Sequence, residues 1–238
     1  MNIILVGASG KMGQTICDLV NNRCNIIAGV DRIKNKKIHQ IYENFEKIPQ
    51  KIIKNCDILL DFAGNSVIKD ELLFCKKNKI SLVICSTGHT ESELNLIKLA
   101  SNEIPIFMAS NTSFGISIIS SILKAYLQFF DCYDVSIIEK HHVNKKDAPS
   151  GTAIVLKNSL GCFDKKIDIV SVRGGSVVGE HEVLFCGQYE QISIKHVAED
   201  RKLFALGALK ICEFMMSVSE AKLYSSDDLF TILKTNNS

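Results

Sequence analysis

Asn2-Ile3-Ile4-Leu5-Val6-Gly7-Ala8-Ser9-Gly10-Lys11-Met12-Gly13 opens the chain, and its reading decides the fold. Ile3 to Val6 is a continuous apolar run of the kind buried on both faces of a parallel sheet. Glycines follow at 7, 10 and 13, and an amphipathic helical pattern runs on to about Asn21. Asn25 to Val30 reads as a second strand and ends at Asp31-Arg32. Strand, glycine turn, helix, strand and acid make a βαβ unit of the dinucleotide-binding kind. Each glycine has a task there. Gly7 permits the tight turn, Gly10 lets the backbone approach a pyrophosphate, and Gly13 lets the helix pack closely. The helix start offers unpaired N–H groups and a positive dipole end to phosphate. Asp31 stands where an acid can accept hydrogen bonds from adenosine ribose hydroxyls, and Arg32 can stack on adenine or pair with a 2′-phosphate.

Outward from this unit the same alternation continues. Strands are predicted over Asp57–Phe62, Ile80–Cys85 and Ile104–Met108, with helices over about Ser66–Asn78, capped by Ser66, and Glu91–Asn102. Short elements are predicted around Ile38–Tyr42 and Ile48–Ile53. Such alternation implies an open parallel sheet covered by helices on both faces, whose ligands bind beyond the carboxyl ends of the strands. Gly7–Met12, Cys85-Ser86-Thr87 and Ala109-Ser110-Asn111-Thr112 fall at those ends.

After a long apolar helix, Gly115–Phe130, the pattern changes. Val135–Ile138 is a short strand, Gly151–Leu160 a helix, and Ile167–Arg173, Glu180–Cys186 and Tyr189–His196 are strands in succession. Gly187-Gln188 reads as the hairpin turn between the last two. Arg201–Ala221 is helical again and is expected to return to the first domain. The fold class is therefore α/β, a Rossmann-type dinucleotide-binding domain formed by residues 1–112 plus about 205–238. A C-terminal α+β domain for substrate and oligomerisation takes about 113–204.

The totals set bounds. A chain of 238 residues can bury a sizeable core in one or two domains. A net charge of +2 gives no nucleic-acid signature. No apolar run is long enough to span a bilayer, and the N-terminus has no signal-peptide pattern, so a cytoplasmic protein is expected. The nine cysteines are scattered, without a C-x-x-C pair, so neither a disulfide framework nor a metal site is expected.

The chemistry concentrates in Glu139-Lys140-His141-His142-Val143-Asn144-Lys145-Lys146-Asp147-Ala148-Pro149-Ser150-Gly151-Thr152. Proton donors and anion-binding groups crowd this stretch, and it ends at a helix start whose N–H groups can receive a carboxylate. His141 can deliver a proton near neutral pH. Lys145 and Lys146 are expected to depress its pKa and a bound dicarboxylate to raise it again. Lys146 reads as a solvated spectator. His39 reads as a surface residue, His89 as a neighbour of a helix cap, and His181 and His196 as packing or hydrogen-bonding residues on strands.

Three separated pieces resemble the 4-hydroxy-tetrahydrodipicolinate reductases, long called dihydrodipicolinate reductases, of bacterial diaminopimelate and lysine biosynthesis. They are Gly7–Gly13, the stretch from Glu139 to Thr152, and Arg173 with Val178–Phe185, continuing through His196–Arg201 and Phe204–Leu209. The resemblance implies reduction of 4-hydroxy-tetrahydrodipicolinate, a small dicarboxylate, with NADH or NADPH, by a homotetramer. It implies that His141 is the proton donor or acceptor, that Lys145 is the second catalytic proton donor, and that His142, Gly151 and Thr152 hold the substrate. It further implies that Gly7, Ala8, Ser9, Gly10, Lys11, Met12, Asp31, Arg32, Cys85, Ser86, Thr87, Ala109, Ser110, Asn111 and Thr112 line the cofactor. Cys85, Ser86 and Thr112 depart from the family pattern of glycine, threonine and phenylalanine. Two rival readings are an aldehyde-oxidising dehydrogenase with Cys85 as nucleophile and a non-catalytic nucleotide sensor.

Overall fold

The computed structural model describes residues 1–20, 23–33, 37–38, 40–161 and 166–235. Asn21, His39 and Cys162 lie outside them. The chain divides into two compact units, residues 1–112 with 204–238, and residues 113–203.

The first unit begins with β1 (Asn2–Val6), α1 (Lys11–Leu19), β2 (Asn25–Val30) and the short β3 (Ile41–Tyr42). There follow α2 (Gln50–Ile53), β4 (Ile58–Asp61), α3 (Ile68–Asn78), β5 (Ser81–Ile84), α4 (Glu91–Ala100) and β6 (Ile106–Met108). The chain returns to this unit through α7 (Lys202–Met215), β11 (Leu223–Tyr224) and α8 (Ser226–Thr235). All strand pairs are parallel, in the order β11-β6-β5-β4-β1-β2-β3. Sequence neighbours diverge between β1 and β4, so the carboxyl edge there is the switch point of a doubly wound sheet. The central strands are buried on both faces, as their unbroken apolar runs require. One face packs against Ile53, Ile68, Leu72, Ile97 and Ala100 of α2, α3 and α4. On the other, Phe107 meets Phe214 of α7 edge to face, with centroids 6.0 Å apart.

One local expectation fails here. Ser66 does not cap α3. It lies inside a 3-10 turn, Asn65–Val67, and the capping position is Val67, with no side-chain bond. The tighter turn runs directly into the helix and leaves the serine no cap position to occupy. By contrast, His89 does neighbour a helix cap: α4 begins at a full capping box formed by Thr90 and Glu93, with His89 just before it.

The second unit contains α5 (Phe114–Tyr126), β7 (Asp134–His141), α6 (Gly151–Ser159), β8 (Asp168–Arg173), β9 (Gly179–Cys186) and β10 (Gln191–Ala198). The sheet order is β10-β9-β7-β8. β7 and β8 run parallel, and β9 is antiparallel to both of its neighbours. Ile116, Ile119 and Leu123 of α5 and Ala153 and Leu156 of α6 pack with Val135, Ile137, Val183 and Phe185 on one face of the sheet. Burial alternates along β7 and β9 accordingly. The β9–β10 connection is a four-residue loop closed by Gly187 N–H to the Glu190 carbonyl, so β10 starts at Gln191 rather than Tyr189. β7 runs three residues beyond the predicted Ile138, which makes Glu139 and His141 strand residues on one face. No helix among the described residues is long and apolar enough to cross a membrane.

Candidate active site

In the second unit, β7 delivers Glu139 and His141 two residues apart to the same buried face. His141 Nδ1 lies 2.5 Å from Glu139 Oε2. Arg173, opposite His141 on β8, clamps the same carboxylate with two N–H bonds of 2.9 and 2.7 Å. Ser150 N–H reaches Glu139 Oε1 at 3.2 Å. Burial alone would raise the Glu139 carboxyl. The hydrogen bonds from Arg173, Ser171 and His141 outweigh it and hold the group at about 2. Glu139 is therefore an acceptor only, so His141 Nδ1 must carry a proton and donate it. The other nitrogen, Nε2, stays bare. A Cβ at Gly179 would sit 3.2 Å from it, so the glycine keeps that side of the ring open.

Burial sets the His141 imidazole below its ordinary range, against the upward pull of Glu139, with Lys145 and Arg173 contributing repulsion. The sequence reading assigned this depression to Lys145 and Lys146. The structure puts desolvation first, because strand β7 carries the ring into the fold. His181, opposite Glu139 on β9, crosses the His141 ring edge to face at 5.0 Å and bonds Ser150 Oγ at 3.0 Å. Burial holds its pKa at about 4, so it is neutral at physiological pH. The reading of His181 as a packing or hydrogen-bonding residue on a strand describes its bond to Ser150 but not its place beside His141. His196, opposite His181 on β10, bonds Ser113 Oγ at 3.1 Å.

The loop after β7 carries the cations. Lys145 Nζ pairs with Asp147 Oδ1 at 3.0 Å, and Lys146 is exposed. Among the described residues no hydrogen-bond partner reaches the buried His142 Nδ1. Ser150 caps α6 by accepting the Ala153 N–H at 3.2 Å, and Gly151 opens the helix beside empty space. Thus His141, His142, Lys145, Gly151 and Thr152 arrive on one strand end, one loop and one helix start. Glu139, Arg173, Ser150 and Gly179 are the members of the cluster to which the sequence reading gave no role of their own. The i, i+2 spacing of Glu139 and His141 would have revealed the first, had the strand been read to its end.

In the first unit, the remaining candidates gather along the carboxyl edge of the parallel sheet, after β1, β2, β5 and β6. Gly7 has φ +72°, and a Cβ there would strike the Phe62 and Ala63 backbone at 2.7–2.8 Å. A Cβ at Gly13 would meet the Gly7 and Ala8 carbonyl oxygens at 2.5 Å, so this glycine lets α1 close on its own loop. Gly10 caps α1 with no side chain in the way, and a Cβ there would meet only the Gly7 carbonyl oxygen at 3.2 Å. The loop and helix start therefore fit an approaching pyrophosphate. Asp31 accepts the Ser9 N–H at 2.8 Å and the Ile33 N–H at 3.1 Å, tying the glycine loop to the end of β2, and Arg32 is exposed. Thr87 and Ser110 are exposed at the ends of β5 and β6. Thr112 points inward and donates to the Phe204 carbonyl at 2.7 Å. Cys85 is buried, which pushes its thiol well above the ordinary range. A nucleophilic thiolate needs the opposite shift, so the aldehyde-oxidising alternative loses its nucleophile.

The family model for the dihydrodipicolinate reductase N-terminus matches residues 1–112, and the model for its C-terminus matches residues 115–230. The 4-hydroxy-tetrahydrodipicolinate reductase of Clostridium novyi is 40% identical over 99% of this chain and 99% of its own length. That of Clostridium perfringens is 37% identical over 98% and 99%. Among solved structures, the dipicolinate-bound dihydrodipicolinate reductase of Paenisporosarcina sp. TG-14 superposes with a TM-score of 0.79 at 22% identity, covering 94% of this chain and 97% of that one. An aspartate dehydrogenase from Thermotoga maritima shares the fold more distantly, with a TM-score of 0.58 at 16% identity over 90% and 96% of the two chains. With both family models matched in order and curated relatives aligned from end to end, the chain belongs to the dihydrodipicolinate reductase family of oxidoreductases.

Proposed function

We propose that the chain reduces 4-hydroxy-tetrahydrodipicolinate to tetrahydrodipicolinate and water with NADH or NADPH, in the diaminopimelate route to lysine. The observation that carries the reading is His141. It is a buried imidazole oriented by an ionised Glu139, at the head of a loop that brings His142, Lys145 and the start of α6 to the same place.

Gly7–Met12, Asp31, Arg32, Cys85–Thr87 and Ala109–Thr112 would hold the dinucleotide. Bound there, the reduced nicotinamide supplies a hydride. The chain's own residues manage the accompanying proton. The two carboxylates of an incoming substrate raise the His141 pKa, and bare Nε2 then takes up the proton that it donates as the ring is reduced. Glu139 stabilises the imidazolium while it lasts. Lys145 exchanges Asp147 for a substrate carboxylate and serves as the second proton donor. Gly151 and Thr152 offer the helix start to a carboxylate, and His142 takes part in holding the substrate.

A homotetramer in the cytoplasm belongs to the same proposal. The face of the β7–β10 sheet away from α5 and α6 exposes Val170 and Val172, which a second copy would cover. Exposed, unpaired Cys132 and Cys186 suit a reducing compartment. Sedimentation velocity at micromolar concentration should give the tetramer, and a monomer would refute that part.

The activity test couples the chain to the synthase that makes the substrate and follows loss of nicotinamide absorbance with each cofactor. His141→Ala should lower kcat by about 10²–10⁴-fold while KM moves far less. His142→Ala and Thr152→Ala should chiefly raise KM, and Lys145→Ala should hurt both. If His141→Ala keeps near-normal kcat and only KM rises, His141 is a binding residue and the assignment of the acid is wrong.

A further inference from the structure

A second group of titratable side chains lies in the first unit, beneath the segment that follows β5. Asp61, the last residue of β4, and Glu71 of α3 are both fully buried. Asp61 Oδ1 accepts the Ala63 N–H at 2.7 Å, and Oδ2 accepts the Ser86 hydroxyl. Ser86 Oγ also lies 3.1 Å from His89 Nε2. The Ser86 proton goes to the acceptor-only carboxylate, so His89 donates from Nε2. Glu71 is different. Among the described residues no N–H or O–H donor reaches either of its oxygens. What faces it, within hydrogen-bonding reach, is the Asp61 carboxyl. Two carboxylates cannot bond each other without a proton between them. Asp61 already has two donors and Glu71 has none, so the proton sits on Glu71. Burial raises both acids, Glu71 well above its ordinary range with the Asp61 charge adding to the effect.

We propose that Glu71 is a positioning residue that is carried protonated, donates its proton to Asp61, and through Asp61, Ser86 and His89 fixes the segment from Cys85 to His89 for dinucleotide binding. The proposal rests on the reading that this segment lines the dinucleotide. The physical reason for such a device is position. Asp61 ends β4 and Ser86 lies two residues beyond the end of the neighbouring β5, and without a donor on its far side Asp61 would be a buried anion short of hydrogen bonds. It would relax toward water and draw Ser86 with it. Glu71 supplies that donor from helix α3, which no dinucleotide contact would otherwise require. The role is distinct from that of His141 and Lys145, since none of these groups touches the reacting atoms.

The test uses the full chain without substrate. Infrared difference spectra of wild type against Glu71→Gln at neutral pH should contain the carbonyl stretch of one buried protonated carboxyl that the variant lacks. Absence of that band overturns the proposal. NADPH titrations read by nicotinamide fluorescence give the second measurement. Glu71→Leu removes the donor and should raise the Kd about tenfold, the worth of one buried hydrogen bond. Glu71→Gln keeps an N–H donor toward Asp61 and should restore most of the affinity. Equal binding by the Leu and wild-type proteins, or equal loss in Leu and Gln, overturns it. Thr87→Tyr separates the two readings. If it blocks NADPH while Glu71→Leu does not weaken it, the segment lines the dinucleotide and only the Glu71 role fails. If Thr87→Tyr binds as wild type does, the segment is elsewhere and the proposal falls with that reading.

Discussion

Replacing Glu139 with glutamine tests the role of His141 without touching its ring. The side chain keeps its shape but exchanges one acceptor oxygen and its charge for an N–H₂ group. In the native cluster five donors converge on this carboxylate: two from Arg173 at 2.9 and 2.7 Å, Ser150 N–H at 3.2 Å, His141 Nδ1 at 2.5 Å and the Ser171 hydroxyl. A carboxamide can satisfy only part of them, and its own N–H₂ must face another donor. Two effects follow, with different readouts. Arg173 loses its counter-charge, which for a buried pair costs about 3–5 kcal/mol. The Arg173 side chain is 19% exposed, so water reaches it and the loss should fall nearer ~2–3 kcal/mol. This appears as a lower Tm. The second effect is on chemistry. A charge-assisted hydrogen bond is worth about 1.5–3 kcal/mol, which at 1.36 kcal/mol per tenfold predicts a kcat lower by roughly 10–150-fold at neutral pH. The sign of the pH dependence is fixed. His141 must be protonated to donate, Glu139 pulls its pKa up, and removing that pull moves the alkaline loss of kcat to lower pH. At about pH 5 the variant should recover toward wild type, and its KM should stay within about threefold. Steady-state rates across pH, with thermal melts as the folding check, decide the matter. An unchanged kcat profile with only Tm or KM shifted would mean that Glu139 merely neutralises Arg173, and the orienting role would be refuted.

Gly179→Ala puts a methyl group 3.2 Å from His141 Nε2 and should lower kcat by about 10–100-fold by displacing the ring, with an intact circular dichroism spectrum. Normal kcat would show that Nε2 does not need that space. Asp31→Ala should weaken NADH more than NADPH in fluorescence titrations, on top of a loss common to both from releasing the Ser9 N–H. Equal loss for the two would mean that the carboxylate only braces the loop. His181 has its pKa lowered from 6.5 to about 4 by burial, so the unfolded chain binds its proton first as pH falls through that window. Stability should therefore be full above about pH 6.5 and decline below it, by about 2 kcal/mol from this group at about pH 5. Urea unfolding of wild type and His181→Gln at the two pH values should show the variant losing that much less, and identical losses would mean that His181 is solvated.

Local chemistry was legible in the sequence where a single segment carries it. The apolar run Ile3–Val6, the glycines at 7, 10 and 13 and the acid at 31 determine a βαβ unit, because strand burial, turn sterics and helix packing each act over a few residues. The stretch from His141 to Thr152 was legible for the same reason, since cations and a capped helix start lie next to one another in the chain. Ser66 shows the limit even locally, where a 3-10 turn displaced a good capping residue. Tertiary structure alone decided the environment of the chemistry. Strand register sets Arg173 opposite His141 and His181 opposite Glu139, pairs separated by 32 and 42 residues. That pairing converts an exposed-looking basic stretch into a buried, oriented imidazole. Likewise nothing in the sequence sets Glu71 apart from other acids, and only the packing of α3 over the end of β4 buries it against Asp61. A pKa depends on what is within a few ångströms, and contacts made by sheet register and helix packing are not written at any fixed spacing along the chain.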